Sequence, residues 1–260
     1  MEDLLLDNSE LAALLNQLEL DQMLGLESDQ IPMQTATKDD QMLQEGLNQL
    51  VEKDLLSLFN DQVEIGAELK GFFETIINPQ VIVRIFKETP QETSWSLYYF
   101  SGSSIVEFSP VAPDQFYLRK IADLDKVAAN IEIMLSLEPV PESVQYQAEV
   151  PQEDADEIAA LADGWSAVPA LTILEADGLK TAEAKDLFLD LTDYQWWGWV
   201  DILTCENGQI TKGRRVLVIQ GQDRAWVARQ MKPEVSTIYI ETAQSGEFEK
   251  FLGQYWEEIG

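Results

Sequence analysis

The chain's one thiol, Cys205, has no histidine to activate it, because none of the 260 residues is a histidine. A nucleophilic cysteine or serine needs a neighbouring base. Histidine is the usual base near neutral pH and the commonest metal ligand. The remaining candidates for chemistry are acids and hydroxyls. Asp154, Asp156 and Glu157 form an acidic run, but the glycine and distal glutamate of a calcium-binding EF loop are missing. Glu257-Glu258 stands at the end of the chain. Ser101-Gly102-Ser103-Ser104 has the composition of a turn and lacks the Gly-x-Ser-x-Gly elbow. No glycine-rich phosphate cradle occurs. General acid–base work by paired carboxylates would need two acids converging in a pocket, one with a strongly shifted pKa. The residue types therefore point away from an enzyme, with no catalytic set, no cofactor and no metal site expected.

Binding chemistry is better represented. Trp196-Trp197-Gly198-Trp199 opens a run that reads as a strand. Strand side chains alternate between faces, so Trp196, Val200 and Ile202 share one face and Trp197, Trp199 and Asp201 the other. Tryptophan is enriched among interface hot spots, which makes Trp197 and Trp199 candidate partner-binding residues. A second candidate is the segment Trp95–Phe100, with Trp95, Leu97 and Tyr99 on one face and Tyr98 and Phe100 on the other. Trp95, Tyr98 and Phe100 are the candidates here. A third is basic: Lys212, Arg214, Arg215, Arg224, Arg229 and Lys232 hold six of the seventeen bases within 21 residues. Arg214, Arg215 and Arg224 could receive an acidic segment. Core packing explains both aromatic groups as well, and a solvated hairpin edge explains the bases.

Acids outnumber bases 47 to 17, for a formal charge of −30. Such a surface repels nucleic acid and anionic membrane and favours a basic or neutral protein partner. One cysteine allows no intramolecular disulfide, which suits a reducing compartment. The first bases come only at Lys38, so no positively charged secretory leader is expected, and no apolar run reaches the ~18 residues of a membrane span. A cytoplasmic location follows as the expectation.

The elements that must position these residues read as α+β. Helices are expected over 9–24, 38–59 and 63–77, then strands at 81–86, 95–100, 105–108 and 116–120, and a helix at 124–135. Residues 138–155 are acidic and proline-containing and read as a linker. Beyond it come a helix at 156–167, an extended piece at 170–174 and a helix at 180–191. Strands follow at 196–204, 214–220, 225–231 and 236–241, then a last helix from 245. Asn207-Gly208 is a strong hairpin-turn signal.

The second parts of the two halves align. A shift of 121 residues places Val127, Ile131, Met134 and Leu135 on Phe248, Leu252, Tyr255 and Trp256. Gly102 matches Gly221, and Val83 and Ile85 match Val200 and Ile202 at a shift of 117. The expected organisation is an acidic N-terminal helix and loop (1–37), a first α+β half (38–137), the linker (138–155) and a second half (156–260). Each half is read as helices, a four-stranded antiparallel sheet and a closing helix, in a pseudo-twofold arrangement.

Leu50–Leu58 runs into Glu64–Pro79 and then into the strand Val81–Phe86. An apolar strand, a glycine turn, a second strand, a proline-containing loop and a short strand follow at Trp95–Leu118 and recur at Val216–Ile240. This layout resembles the EspG family, cytosolic chaperones of type VII (ESX) secretion. The resemblance implies a non-catalytic protein that holds a secreted helical protein soluble in the cytosol. The charge supports a different reading, an acidic immunity or inhibitor protein that neutralises a basic toxin or enzyme.

Overall fold

The computed structural model describes residues 3–20, 23–26, 40–59, 62–137, 146–230, 236–243 and 246–259. Among them are twelve strands and eight helices. The order is β1 (Asp3–Asp7), α1 (Asn8–Gln17), α2 (Asp40–Glu52), β2 (Leu56–Phe59), β3 (Gln62–Ile65), α3 (Ala67–Ile77), β4 (Val81–Glu88), β5 (Thr93–Ser101), β6 (Ser104–Ala112), β7 (Gln115–Ile121) and α4 (Leu124–Met134). It continues with β8 (Gln147–Pro151), α5 (Gln152–Asp163), α6 (Ala167–Ala176), α7 (Thr181–Thr192), β9 (Trp196–Glu206), β10 (Gln209–Gln220), β11 (Ala225–Gln230), β12 (Thr237–Thr242) and α8 (Glu247–Ile259). Ten strands form one sheet in the order β1-β7-β6-β5-β4-β9-β10-β11-β12-β8, and β2 pairs with β3 alone. The α+β class is as the sequence implies. No described helix is long and apolar enough to cross a membrane.

The chain divides into two compact units that do not follow the sequence halves. One holds residues 1–84, 95–122 and 202–213, the other 85–94, 123–201 and 214–260. In the first unit, β1 pairs antiparallel with β7, Leu6 opposite Phe116 and Leu4 opposite Leu118, all four buried. The chain then turns straight into α1. Asp7 caps the helix by accepting from the Glu10 N–H at 2.9 Å, and Glu10 accepts from the Asp7 N–H at 2.9 Å. This reciprocal box satisfies two otherwise unpaired donors. The Glu10 side chain is fully buried and is neutralised by Lys53 at 2.6 Å. Leu11, Leu14, Leu50, Leu69, Phe72, Phe73 and Ile76 bring α1, α2 and α3 into the core. The acidic N-terminal segment is therefore docked over its described part.

In the second unit, β12 pairs with β8, Val150 opposite Ile238 and Ala148 opposite Ile240. Ala148 and Val150 join Ile158, Leu174, Leu179, Ala184, Leu187 and Trp226 in one core under α5, α6 and α7. α4 packs on α8, and the Gly246 N–H donates to Glu132 at 2.8 Å.

Several boundaries differ from the sequence expectation. Each meander carries an additional strand, β1 or β8, and β4 lies beside β9, so a single ten-stranded sheet stands where a four-stranded sheet in each half was expected. Both additions have the same alternating burial, and each leads directly into a helix. β8 and the start of α5 occupy positions 147–155 of the expected linker, and positions 138–145 lie outside the described residues. The helix expected over 38–59 ends at Glu52, where Asp54 takes φ +58° and the chain turns into the β2–β3 hairpin. The piece at 170–174, expected to be extended, is helical. Pro169 falls in the first turn of α6, where a missing N–H costs nothing. Asn207 and Gly208 both take positive φ, as the hairpin signal requires.

Five helix exits follow one pattern, while α3 and α7 end at Asn78 and Asp193 with negative φ. Glu19, Asp54, Ser136, Trp165 and Gly178 are left-handed, and the next residue's N–H bonds back to Leu15, Leu50, Glu132, Leu161 or Leu174. This closes the last turn. The residue after the left-handed position is leucine four times, at Leu20, Leu55, Leu137 and Leu179. Ser166, after Trp165, is the exception.

Gly46 is buried where α2 meets α1. A Cβ there would lie 2.0 Å from the Ser9 carbonyl oxygen, a backbone atom. Alanine in an exposed helix is better than glycine by about 1 kcal/mol. Here overpacking outweighs that gain, and Gly46→Ala is expected to destabilise the protein by roughly 2 kcal/mol in urea denaturation. Equal or higher stability would show that the two helices can part at no cost.

Candidate functional site

β9 carries the aromatic cluster. The alternation places Trp196, Val200 and Ile202 in the core, while Trp197 and Trp199 are half-buried on the opposite face. Gly198 sets the approach of β9 to β4: a Cβ would lie 2.2 Å from the Phe86 carbonyl oxygen and 3.1 Å from the Lys87 Cα. That approach brings the Phe86 ring into stacking contact with Trp199, centroids 3.9 Å apart and planes at 16°. Trp197 lies 5.8 Å from Phe86 and 5.4 Å from Trp199.

The other side of Trp199 is held by β10. The Arg215 guanidinium sits 4.8 Å over the Trp199 ring, within cation–π range. It donates to Asp201 through Nε at 2.6 Å and Nη2 at 2.9 Å, a planar two-bond fit. Asp201 is buried and the Arg215 side chain is half-exposed. Phe86, Trp199, Arg215 and Asp201 thus brace one another, leaving part of both indoles open. The Trp199 Nε1 has no hydrogen-bond partner among the described residues. On the opposite face Lys87 lies 4.5 Å over Trp196 and donates to the Met134 carbonyl and Ser136 hydroxyl, each at 3.0 Å. Burial lowers the Lys87 pKa.

A polar knot lies elsewhere in the second unit. Asp190 of α7 accepts from the Trp226 Nε1–H at 2.7 Å and from the Gln222 N–H at 3.2 Å. Arg224 donates to Asp186 at 3.1 Å and lies 3.8 Å from Asp190. The Tyr146 hydroxyl donates to Asp186 at 3.3 Å. Burial raises the Asp190 pKa despite these donors. The knot ties α7 to β11 and to the approach to β8.

The sequence-derived candidates fare differently. Trp197 and Trp199 come together on a half-open ledge. Trp95, Tyr98 and Phe100 are buried and belong to the core, because both faces of β5 are covered. Trp95 packs 5.6 Å from Phe108. Tyr98 donates to Glu107 at 3.2 Å, and Arg119 donates to the same carboxylate through Nε at 2.9 Å. The basic cluster is not a single patch: Arg215 pairs with Asp201, Arg224 with Asp186 and Asp190, and Arg229 with Glu241. Arg214 lies over the Tyr255 ring at 5.4 Å. Lys232 falls outside the described residues. Cys205 is buried, which pushes its thiol up to about 11. No described group of acids and cysteine could hold a metal ion. Sequence reasoning missed Phe86 as part of the ledge. It placed Asp201 on the face of Trp197 and Trp199, but not its pairing with Arg215 on the neighbouring strand.

The architecture is that of an α+β protein on one large antiparallel sheet, with helices before and after each meander. No protein-family description and no curated protein matches the sequence. Among solved structures, the fold is shared with the Mycobacterium tuberculosis type VII secretion system chaperone EspG5, determined in complex with a PE25–PPE41 dimer. The TM-score is 0.69 over 94% of this chain and 91% of that one, at 12% sequence identity.

The raised Asp190 pKa has a definite sign. Its ionisation opposes folding, so its contribution to stability is fully present below the ordinary carboxylate pKa and is lost as pH rises through the raised value. Measured against Asp190→Asn by urea denaturation, the wild-type protein is expected to lose relative stability as pH rises from about 4 towards neutrality. A difference independent of pH would show that the carboxyl is not perturbed.

Proposed function

We propose that this protein is a non-catalytic chaperone or adaptor that binds another protein, holding a secreted helical protein soluble in the cytoplasm, in the manner of type VII secretion chaperones. The observation that carries this reading is the aromatic ledge of Trp197, Trp199 and Phe86. Half-open tryptophans, immobilised by stacking and by the Arg215–Asp201 pair, lose little entropy on contact, and that is what an anchoring surface requires. Likeness of fold to a chaperone whose solved complex contains a protein dimer supports the class.

A duplicated origin belongs to the same proposal. β1 and β8 each precede helices, a four-strand meander and a closing helix, and each pairs with the last strand of its meander. One unit used twice accounts for that order.

The charge-based inhibitor reading is separated by salt. Apolar anchoring on the ledge predicts binding that changes little between low and high salt, whereas charge complementarity predicts a steep loss.

Trp197→Ala combined with Trp199→Ala is expected to abolish co-purification of a helical partner from the native host. Two lost anchors of about 2 kcal/mol each weaken affinity by roughly a thousandfold. Far-ultraviolet circular dichroism should be unchanged. Full recovery of the partner by the double variant would remove the ledge from the binding surface.

A further inference from the structure

Trp165 occupies a position that folding alone does not account for. It leaves α5 with φ +54°, its N–H bonded to the Ala162 carbonyl at 3.0 Å and the Ser166 N–H bonded to Leu161 at 2.8 Å. Glycine is the residue suited to that left-handed site. A bulky side chain there costs backbone energy, and burial does not return it, because Trp165 is 69% exposed. At the four other left-handed exits the apolar residue comes one place later and is at least partly buried. Here the apolar residue is Trp165 itself and the next is Ser166. Val168, in the first turn of α6, is 77% exposed. The α5–α6 hairpin meets its own core through Ile158, Ala162, Ala170 and Leu174, so Trp165 and Val168 are not part of that packing.

The hairpin is also uniformly negative. Between Lys126 and Lys180 the chain has no lysine or arginine. Glu153, Asp156, Glu157, Asp163 and Glu175 are exposed along it. At its far end Asp177 has an oxygen buried without a hydrogen-bond partner among the described residues, and Asp154 adds like charge nearby.

We propose that the tip and flanks of the α5–α6 hairpin are a docking surface for a basic, amphipathic protein helix, whose apolar side chains cover Trp165 and Val168 while its lysines or arginines meet the hairpin acids. The charge selects this occupant. A second copy of a −30 chain brings more negative charge, and nucleic acid and anionic membrane are repelled in the same way. The surface uses no residue of the Trp197–Trp199 ledge and stands whether or not the chaperone reading holds.

The test uses the full-length protein and a synthetic helix with leucines on one face and lysines elsewhere, compared with a control in which serines replace the leucines. Trp165→Gly is expected to weaken binding of the Leu/Lys helix about tenfold or more, and to raise the melting midpoint by about 2 °C because the left-handed strain is relieved. The Ser/Lys control should bind wild-type protein at least about tenfold more weakly than the Leu/Lys helix. Val111→Ser, at an exposed apolar residue of β6 outside both the hairpin and the ledge, should bind the Leu/Lys helix as wild type does. The proposal is overturned by undiminished binding to Trp165→Gly, by equal binding of the two helices, or by a loss of binding in Val111→Ser as large as that in Trp165→Gly. A lower melting midpoint for Trp165→Gly would overturn it too, by making Trp165 a structural residue.

Discussion

The close approach of β9 to β4 at Gly198 is the constraint on which the aromatic face depends. With 2.2 Å between a hypothetical Cβ and the Phe86 carbonyl, any other residue would force the strands apart. The stacking of Phe86 on Trp199 would go with it. Trp199 would then keep only the guanidinium on its other side, and a side chain with two rotatable bonds and one restraint does not present a fixed surface. The small residue between two large ones is therefore a geometric requirement. Glycine weakens a strand by entropy and by the absence of packing, and here the loss is offset by ring stacking.

Charge imposes the second constraint. In a chain with 47 acids and 17 bases, each carboxylate taken into the core needs a base or a set of donors, and few bases are available. The most deeply buried of these carboxylates have them, Lys53 on Glu10, Arg119 on Glu107, Arg215 on Asp201 and Arg224 on Asp190, and Arg224 and Arg229 also pair with the partly buried Asp186 and Glu241. A buried charge left without its partner costs several kcal/mol. Of the arginines that look like a basic patch in the sequence, Arg215, Arg224 and Arg229 pair with carboxylates of the same unit, Arg215 while half-exposed.

The strands of the two meanders were legible because their apolar runs are long and bounded by Gly, Pro and Asn turns. Trp197 and Trp199 were legible because strand alternation separates them from Trp196 and Val200. β1 and β8 were not, for a physical reason. Each carries only two inward residues, Leu4 and Leu6 or Ala148 and Val150, among acids that suit an outer strand. Their strand state comes from pairing with β7 and β12, which are distant in sequence, and no local signal encodes it. Trp95, Tyr98 and Phe100 failed as surface residues for the complementary reason. Alternation says which residues share a face, but not whether helices cover both faces of β5. Glu107, opposite Tyr98 and Arg119, shows how an internal polar row can mimic a solvent side.

At 12% identity, what this chain has in common with EspG5 cannot reside in particular side chains. In this chain the fold rests on patterns that many residues satisfy: alternating burial in the outer strands, left-handed helix exits followed by leucine at four places, and acids matched to bases across neighbouring strands. Such patterns specify a fold while leaving its surface free to vary. Positions that depart from them are then informative, since local rules fail in well-folded chains chiefly where another demand is met. Two departures stand out in the second unit: an indole N–H left without an acceptor at Trp199, and a tryptophan holding glycine's conformation in solvent at Trp165. Neither improves the stability of the isolated chain. The Trp199 nitrogen is buried within the chain, whereas contact with a second polypeptide would supply the cover for Trp165.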